Sequence, residues 1–119
     1  MKLTLIVGAS ENPTRYSYLA AQRIKAKGHS VLLLGRRKGS VAGQEIHTQP
    51  LPWENIDTVT LYINPSIQTA YYDYIVSLNP KRVIFNPGTE NSEFENILAS
   101  KNIVPVRACT LVMLTTGQY

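Results

Sequence analysis

Two nearly continuous apolar runs, Leu3-Thr4-Leu5-Ile6-Val7 and Val31-Leu32-Leu33-Leu34, constrain this chain more than any other feature, and each is stopped by a glycine, Gly8 or Gly35. A strand with one wet face alternates apolar and polar residues. A continuous apolar run is buried on both faces, as happens in a parallel sheet covered by helices. Between the runs lie a polar stretch, Ser10 to Thr14, and a segment from Arg15 or Ser17 to Lys27 with Tyr16, Ala20 and Ile24 at helical spacing and Leu19 beside them. Gly28 supplies a helix stop. The order strand, turn, helix, strand predicts a βαβ unit with a right-handed crossover, and the first run is expected to be the central strand.

The rest of the chain continues the alternation. Gly39, Gly43, Pro50 and Pro52 punctuate residues 36–57, where Gln44 to His47 can form one short edge strand. Thr58 to Ile63 reads as a strand, and Asn64-Pro65-Ser66 starts a helix through Leu78 with Tyr71, Ile75 and Leu78 on one face. Arg82 to Phe85 is a strand ending at Asn86-Pro87-Gly88. Glu93 to Ser100 is a helix with Phe94, Ile97 and Leu98 inward, Ile103 to Val106 a short strand, and Thr110 to Leu114 a helical turn or two. The pattern predicts an α/β fold, a doubly wound parallel sheet of about five strands in three layers, occupying residues 1–119 as one domain. In such sheets ligands bind beyond the carboxyl ends of the strands, at the switch in strand order. Four strand-end turns, at Gly8-Ala9-Ser10, Gly35-Arg36-Arg37, Asn64-Pro65-Ser66 and Asn86-Pro87-Gly88, should therefore meet along one edge.

Composition narrows the function classes. With 44% apolar and 17% charged residues the chain is an ordinary globular sequence. It has no apolar run near the roughly 18 residues of a membrane helix. The opening stretch reads as a strand rather than a signal peptide, so the expected location is cytoplasmic. One cysteine, Cys109, makes neither an internal disulfide nor a multi-cysteine metal site. The net charge of +4 is compatible with several anionic partners, but six of the twelve Lys and Arg residues fall between Arg15 and Arg37, with Lys38 next.

The first turn, residues 8–17, joins a buried strand to a helix N-terminus, where free amides and the helix dipole favour a phosphate. Gly8 admits a close approach to the backbone, Ser10, Asn12 and Ser17 add short polar groups, and Arg15 adds a charge suited to phosphate oxygens. Asn12 or Ser17 is at the same time a natural cap for the helix, with Pro13 at its first position. Neither a P-loop nor the full Gly-x-Gly-x-x-Gly fingerprint is present. The second turn carries Arg36, Arg37 and Lys38 where an NAD site would place an acid. Three cations there favour a phosphorylated ribose, found both in NADP and in coenzyme A.

The segment Gly8-Ala9-Ser10-x-x-Pro13-x-Arg15-x-Ser17-Tyr18, followed by Lys27-Gly28-His29-Ser30-Val31, resembles the opening of the small CoA-binding domain proteins, relatives of the N-terminal domain of the succinyl-CoA synthetase α subunit. Gly43-Gln44-Glu45-Ile46 and Cys109 resemble later features of that family. The resemblance implies a Rossmann-like fold that binds coenzyme A, with Gly8, Ala9, Ser10, Asn12, Arg15 and Ser17 around the pyrophosphate and Gly35, Arg36 and Arg37 near the 3′-phosphate. It implies an adenine against the third and fourth turns, at Asn64, Pro65, Pro87 and Gly88. Tyr62 is the aromatic residue best placed by the sequence to face that base. Two departures stand out: Gly35-Arg36 replaces the family's usual Asn-Pro pair, and Arg107-Ala108 replaces its acidic or amide-containing pair before the cysteine.

Residues that invite a catalytic reading have plainer ones. Cys109 with Arg107 two positions away can be an activated thiolate, or a small buried apolar residue. His29 and His47 read as surface or packing residues, and Tyr71, Tyr72, Tyr74 and Trp53 as an aromatic surface. The expected function is non-catalytic binding of coenzyme A or an acyl-CoA. An NADP-type subunit or reductase component is the alternative, with an interaction protein carrying a vestigial nucleotide site as a third reading. A homodimer or a partner subunit is compatible with the sequence. Nucleic-acid binding ranks last, because the cations cluster at a strand-end turn and a helix rather than along an aromatic-studded sheet.

Overall fold

The computed structural model describes residues Met1–Tyr119. Seven strands form one sheet: β1 (Leu3–Ala9), β2 (Ser30–Gly35), β3 (Gly39–Val41), β4 (Gln44–His47), β5 (Thr58–Leu61), β6 (Arg82–Phe85) and β7 (Val104–Arg107). The helices are α1 (Tyr16–Ala26), α2 (Pro65–Gln68), α3 (Tyr72–Leu78), α4 (Ser92–Ser100) and α5 (Thr110–Thr116), with a 3₁₀ turn, Thr69–Tyr71, between α2 and α3. The strand order is β3-β4-β2-β1-β5-β6-β7, so β1 is central, as its apolar run predicts. Every pair is parallel except β3 with β4. The chain leaves β1 toward β2 and later returns to the other side of β1 as β5. The switch point therefore lies between β1 and β5.

The continuous apolar runs are explained by a core on each face of the sheet. Leu5 and Val7 of β1 join one cluster and Ile6 and Ala9 the other. Helices α3 and α4 cover the first with Ile75, Leu78, Phe94 and Leu98, while α1 and α5 cover the second with Ala20, Ala21, Ile24 and Leu114. Each of these larger side chains contributes about 1.5–3 kcal/mol by leaving water. No helix is long and apolar enough to cross a membrane.

Three expectations need correction. The sheet has seven strands rather than about five: Gln44–His47 is a strand, and Gly39–Val41 folds back on it as an antiparallel hairpin. A three-residue strand with one apolar side chain carries no periodic signal; the hairpin is held by a two-residue turn and by Lys25 of α1, which donates to the Ala42 carbonyl. The buried face of α1 is Ser17, Ala20, Ala21 and Ile24, whereas Tyr16 is 74% exposed. Small residues let this helix lie close to the sheet, which the apolar spacing alone hid. The helix read from Ser66 to Leu78 is interrupted by the 3₁₀ turn, and Tyr71 is half-buried rather than core.

Tyr119 closes the edge of the sheet where the parallel strands begin. Its hydroxyl pairs with Thr4 Oγ1, and the Arg82 guanidinium lies 4.7 Å from its ring centroid. Arg82 Nη2 donates to the Tyr119 carbonyl at 2.7 Å and Arg82 Nε to Thr58 Oγ1 at 2.8 Å. His29 packs on the same tyrosine at 5.2 Å between centroids, and its Nδ1 accepts the Lys2 amide at 2.9 Å. Burial holds the His29 pKa below its ordinary value, and the positive charges of the Met1 amino group, Lys2 and Arg82 push it the same way. A lowered histidine pKa means that the unfolded chain takes up the proton first. Stability from this site is thus full above the ordinary value of 6.5 and falls as the pH drops through it, until folded His29 is itself protonated. Glu95, held below the usual carboxylate range by its hydrogen bond to Arg107, adds a separate loss only in more acid solution. Urea midpoints between about pH 7.5 and 5.5 are expected to fall in the wild type and to fall less in His29→Gln.

Candidate functional site

The carboxyl ends of β1, β2, β5 and β6 lie on one edge, so the four turns do share it. Its form is set by two glycines. The β1–β2 register shifts between Val7 and Ala9, which leaves Gly8 as an extra residue with φ +96°. A Cβ on Gly8 would sit 3.0 Å from the Tyr62 carbonyl carbon and oxygen, against the end of β5. A Cβ on Gly35 would sit 2.3 Å from the Ala9 carbonyl oxygen. Bare backbone is thus packed against backbone on both sides of the end of β1, toward β2 and across the switch point toward β5.

From there the first turn folds on itself. Ser10 Oγ accepts the Asn12 amide at 3.0 Å, and Asn12 Oδ1 accepts the Thr14 amide at 3.0 Å and the Thr14 hydroxyl at 2.8 Å. The Asn12 carbonyl accepts the Arg15 amide at 3.0 Å. Asn12 therefore shapes the turn and does not cap α1. The cap position is Arg15, with no side-chain cap and no acid in the first helical turn. Ser17 is buried against the sheet. The amides of Tyr16 and Ser17 are left without a protein partner. Arg15, Arg36 and Arg37 are exposed, and none belongs to the three ion pairs of the protein. Beyond the basic loop is an open groove of about 380 Å³ between Lys38, Gly39, His47, Thr48 and Leu51.

The third and fourth turns are less free. Asn64 caps α2, its Oδ1 accepting the Ile67 amide at 3.1 Å and the Ser66 hydroxyl at 2.7 Å, and Pro65 is in the first helical turn. Pro87 and Gly88 are exposed, with the Gly88 amide donating to Glu90 Oε1 at 2.9 Å. Tyr62 is turned into the protein: its ring packs against the α1/α5 cluster, and its hydroxyl is enclosed near Thr60 and Thr110 without a bond of good geometry. Burial pushes this phenol up to about 12, so it stays neutral.

Two buried amide side chains, neither of them among the expected ligand contacts, hold this edge together. Asn86 is buried at the end of β6; its Nδ2 donates to Thr60 Oγ1 at 2.7 Å and to the Leu61 carbonyl at 2.9 Å, and its Oδ1 accepts the Thr110 amide at 2.9 Å. Gln68, fully buried, donates to the Ile63 carbonyl at 2.9 Å and the Thr89 carbonyl at 2.7 Å, and accepts from Asn91 Nδ2 at 2.9 Å. The only available signal was a polar residue inside an otherwise amphipathic helix. Cys109 is half-buried at the cap of α5, and Arg107, the cation that the activated-thiolate reading would need, is taken up elsewhere: its Nη2 lies 2.9 Å from Glu95 Oε2. His29 is at the opposite edge, and His47 packs edge-on against Trp53 at 5.5 Å.

A family model described as "CoA binding domain" matches residues 2–115. A solved structure described as an uncharacterized protein is 55% identical, with a TM-score of 0.98 over 100% of this chain and 98% of its own. A structure from Thermus thermophilus is 20% identical, with a TM-score of 0.87 over 99% of this chain and 90% of its own. A hypothetical protein from Pyrococcus horikoshii is 21% identical, with a TM-score of 0.84 over 97% of this chain and 82% of its own. At such identities the last two show a shared fold. No curated protein matches the sequence.

Gln68→Leu keeps the volume of this brace but leaves the Ile63 and Thr89 carbonyls without their donor. It is expected to cost about 2–4 kcal/mol in urea unfolding and to speed amide exchange in the loops after β5 and β6.

Proposed function

Because the chain belongs to the CoA-binding domain family, we propose that it holds coenzyme A or an acyl-CoA at the carboxyl edge of its sheet and does not transform it. The observation that carries the reading is the uncapped N-terminus of α1 beside Arg15, with the unpaired Arg36 and Arg37 at the next strand end. Unpaired cations and free amides match a ligand with two separated phosphate groups. The pyrophosphate sits on the amides of Tyr16 and Ser17, beside the backbone of Gly8, Ala9 and Ser10, with Arg15 on its oxygens. Arg36 and Arg37, next to Gly35, take the 3′-phosphate. Asn12 acts here through the shape of the turn, and Asn64, Pro65, Pro87 and Gly88 form the far side of the edge.

The reading as a binding protein rests on the surroundings of the nucleophile. Cys109 has no histidine beside it, and its nearest arginine in sequence is engaged by Glu95. The Cys109 thiol therefore lacks the adjacent base that would activate it.

Calorimetric titration with CoA, dephospho-CoA, NADP and NAD tests the assignment. CoA is expected to bind about tenfold or more tightly than dephospho-CoA, through charge-assisted bonds to the 3′-phosphate. The Arg36→Ala/Arg37→Ala double variant should erase that difference, whereas Arg15→Ala should weaken both ligands about equally. Absence of CoA binding at about millimolar concentration sinks the reading. NADP binding more tightly than CoA moves the site to the dinucleotide class.

A further inference from the structure

One side chain joins the first turn to the basic loop. Glu11 reaches from the turn after β1 to the start of β3, where its Oε2 accepts the Ser40 amide at 3.0 Å. This is the only side-chain hydrogen bond between residues 8–15 and residues 36–41. Gly39 makes room for it: a Cβ there would lie 2.8 Å from Glu11 Cδ and 3.0 Å from each carboxylate oxygen. The amide that the carboxylate accepts, that of Ser40, lies two residues beyond Lys38, yet Glu11 forms no ion pair with Arg36, Arg37 or Lys38.

An acid so close to a cationic, anion-seeking loop weakens that loop's field and repels phosphate. A geometric role offsets this cost. The three exposed residues Arg36 to Lys38 connect β2 to β3, and the Glu11–Ser40 bond anchors the far end of that connection to the turn that leads into α1. The near end is anchored where Gly35 packs on the Ala9 carbonyl. With both ends fixed, the span from the Arg36–Arg37 pair to the uncapped amides of α1 is fixed too.

We propose that Glu11 is the positioning residue that sets this span, and through it the preference for a ligand with a second phosphate over one with the pyrophosphate alone. The proposal rests on the CoA reading of the site given above. It separates two properties of one side chain, its charge and its contact, and the structure supplies a variant for each. Glu11→Gln removes the charge and keeps an acceptor for the Ser40 amide. Gly39→Ala keeps the charge and displaces the contact, because the clashing atoms are the far end of a flexible side chain. Glu11→Ala removes both.

The test is calorimetry with CoA and dephospho-CoA on the wild type and these three variants, with amide exchange at Ser40 read on each protein without ligand. The CoA to dephospho-CoA affinity ratio is expected to be kept in Glu11→Gln and to fall about fivefold in Glu11→Ala and Gly39→Ala. Ser40 should exchange faster in those two alone. If Glu11→Gln and Glu11→Ala both tighten CoA while Gly39→Ala behaves as wild type, Glu11 acts through charge and the proposal is overturned. A ratio unchanged in all three variants overturns it as well, while leaving the site assignment standing. If the wild type itself shows no preference for CoA, the role given to Arg36 and Arg37 fails, and this proposal fails with it.

Discussion

Backbone packed on backbone at the end of β1 is the constraint on which the remaining geometry hangs. Gly8 lies against the Tyr62 carbonyl and Gly35 against that of Ala9; a methyl group would overlap the Ala9 carbonyl at Gly35 and crowd the Tyr62 carbonyl at Gly8. A side chain at Gly8 would also have to adopt a positive φ, a conformation that costs an L-residue about 1–2 kcal/mol. Because the strands meet so closely, the chain leaves β1 through a bulge, and that departure directs the first turn and fixes where α1 begins. The helix N-terminus and the start of the basic loop are both set within a residue or two of these contacts.

Such an edge exposes many polar backbone groups, and those that are buried need partners. Side chains provide them under the third and fourth turns. Asn86 ties β6 to β5 and to the start of α5, and Gln68 ties the loops after β5 and β6 to the start of α4. Asn64 and Asn91 cap α2 and α4 with their own side chains. Against this background α1, the longest helix in the protein, begins without a side-chain cap and without an acid, a condition it shares with the seven-residue α5. The three arginines around it make no ion pair. In isolation that arrangement forgoes stabilisation worth about 0.5–2 kcal/mol for the cap alone. A phosphate would supply what the cap and the missing acids do not.

Much of this was legible in the sequence because burial on both faces leaves a simple trace. The runs ending at Gly8 and Gly35, the prolines and asparagines after β5 and β6, and the stop at Gly28 gave the order of elements and the shared edge. Less was legible where small or polar residues do the packing. The inward face of α1 is made of Ser17, Ala20, Ala21 and Ile24; Ala20 and Ile24 follow the expected spacing, but the bulky Tyr16 stood in for the small Ser17 that is actually buried. The β3 strand depends on a hairpin turn and on Lys25, neither of which has a periodic signature. Tyr62 looked like a stacking surface because its position on the strand end says nothing of which way the ring turns; the space between α1 and α5 drew it inward. Glu11 looked like one more polar loop residue, since its partner at Ser40 is brought to it only by the hairpin.

The two edges of the sheet divide the work of the fold. At the edge where the strands begin, Tyr119, Arg82, His29, Thr4 and Thr58 form a closed set in which a cation, aromatic rings and hydroxyls satisfy one another. At the carboxyl ends of β1 and β2 the cations have no such partners, and the polar side chains of the first turn are spent on shaping it. Arg82 and Arg107, at strand ends, are both engaged, one by Tyr119 and Thr58 and the other by Glu95 and Ser92, while Arg23 in the last turn of α1 is exposed and in no ion pair. The arginines left free beside strand ends are those of the first and second turns. The two ends of the sheet thus differ in kind: one is closed by its own side chains, and at the other the arginines of the first two turns are left exposed.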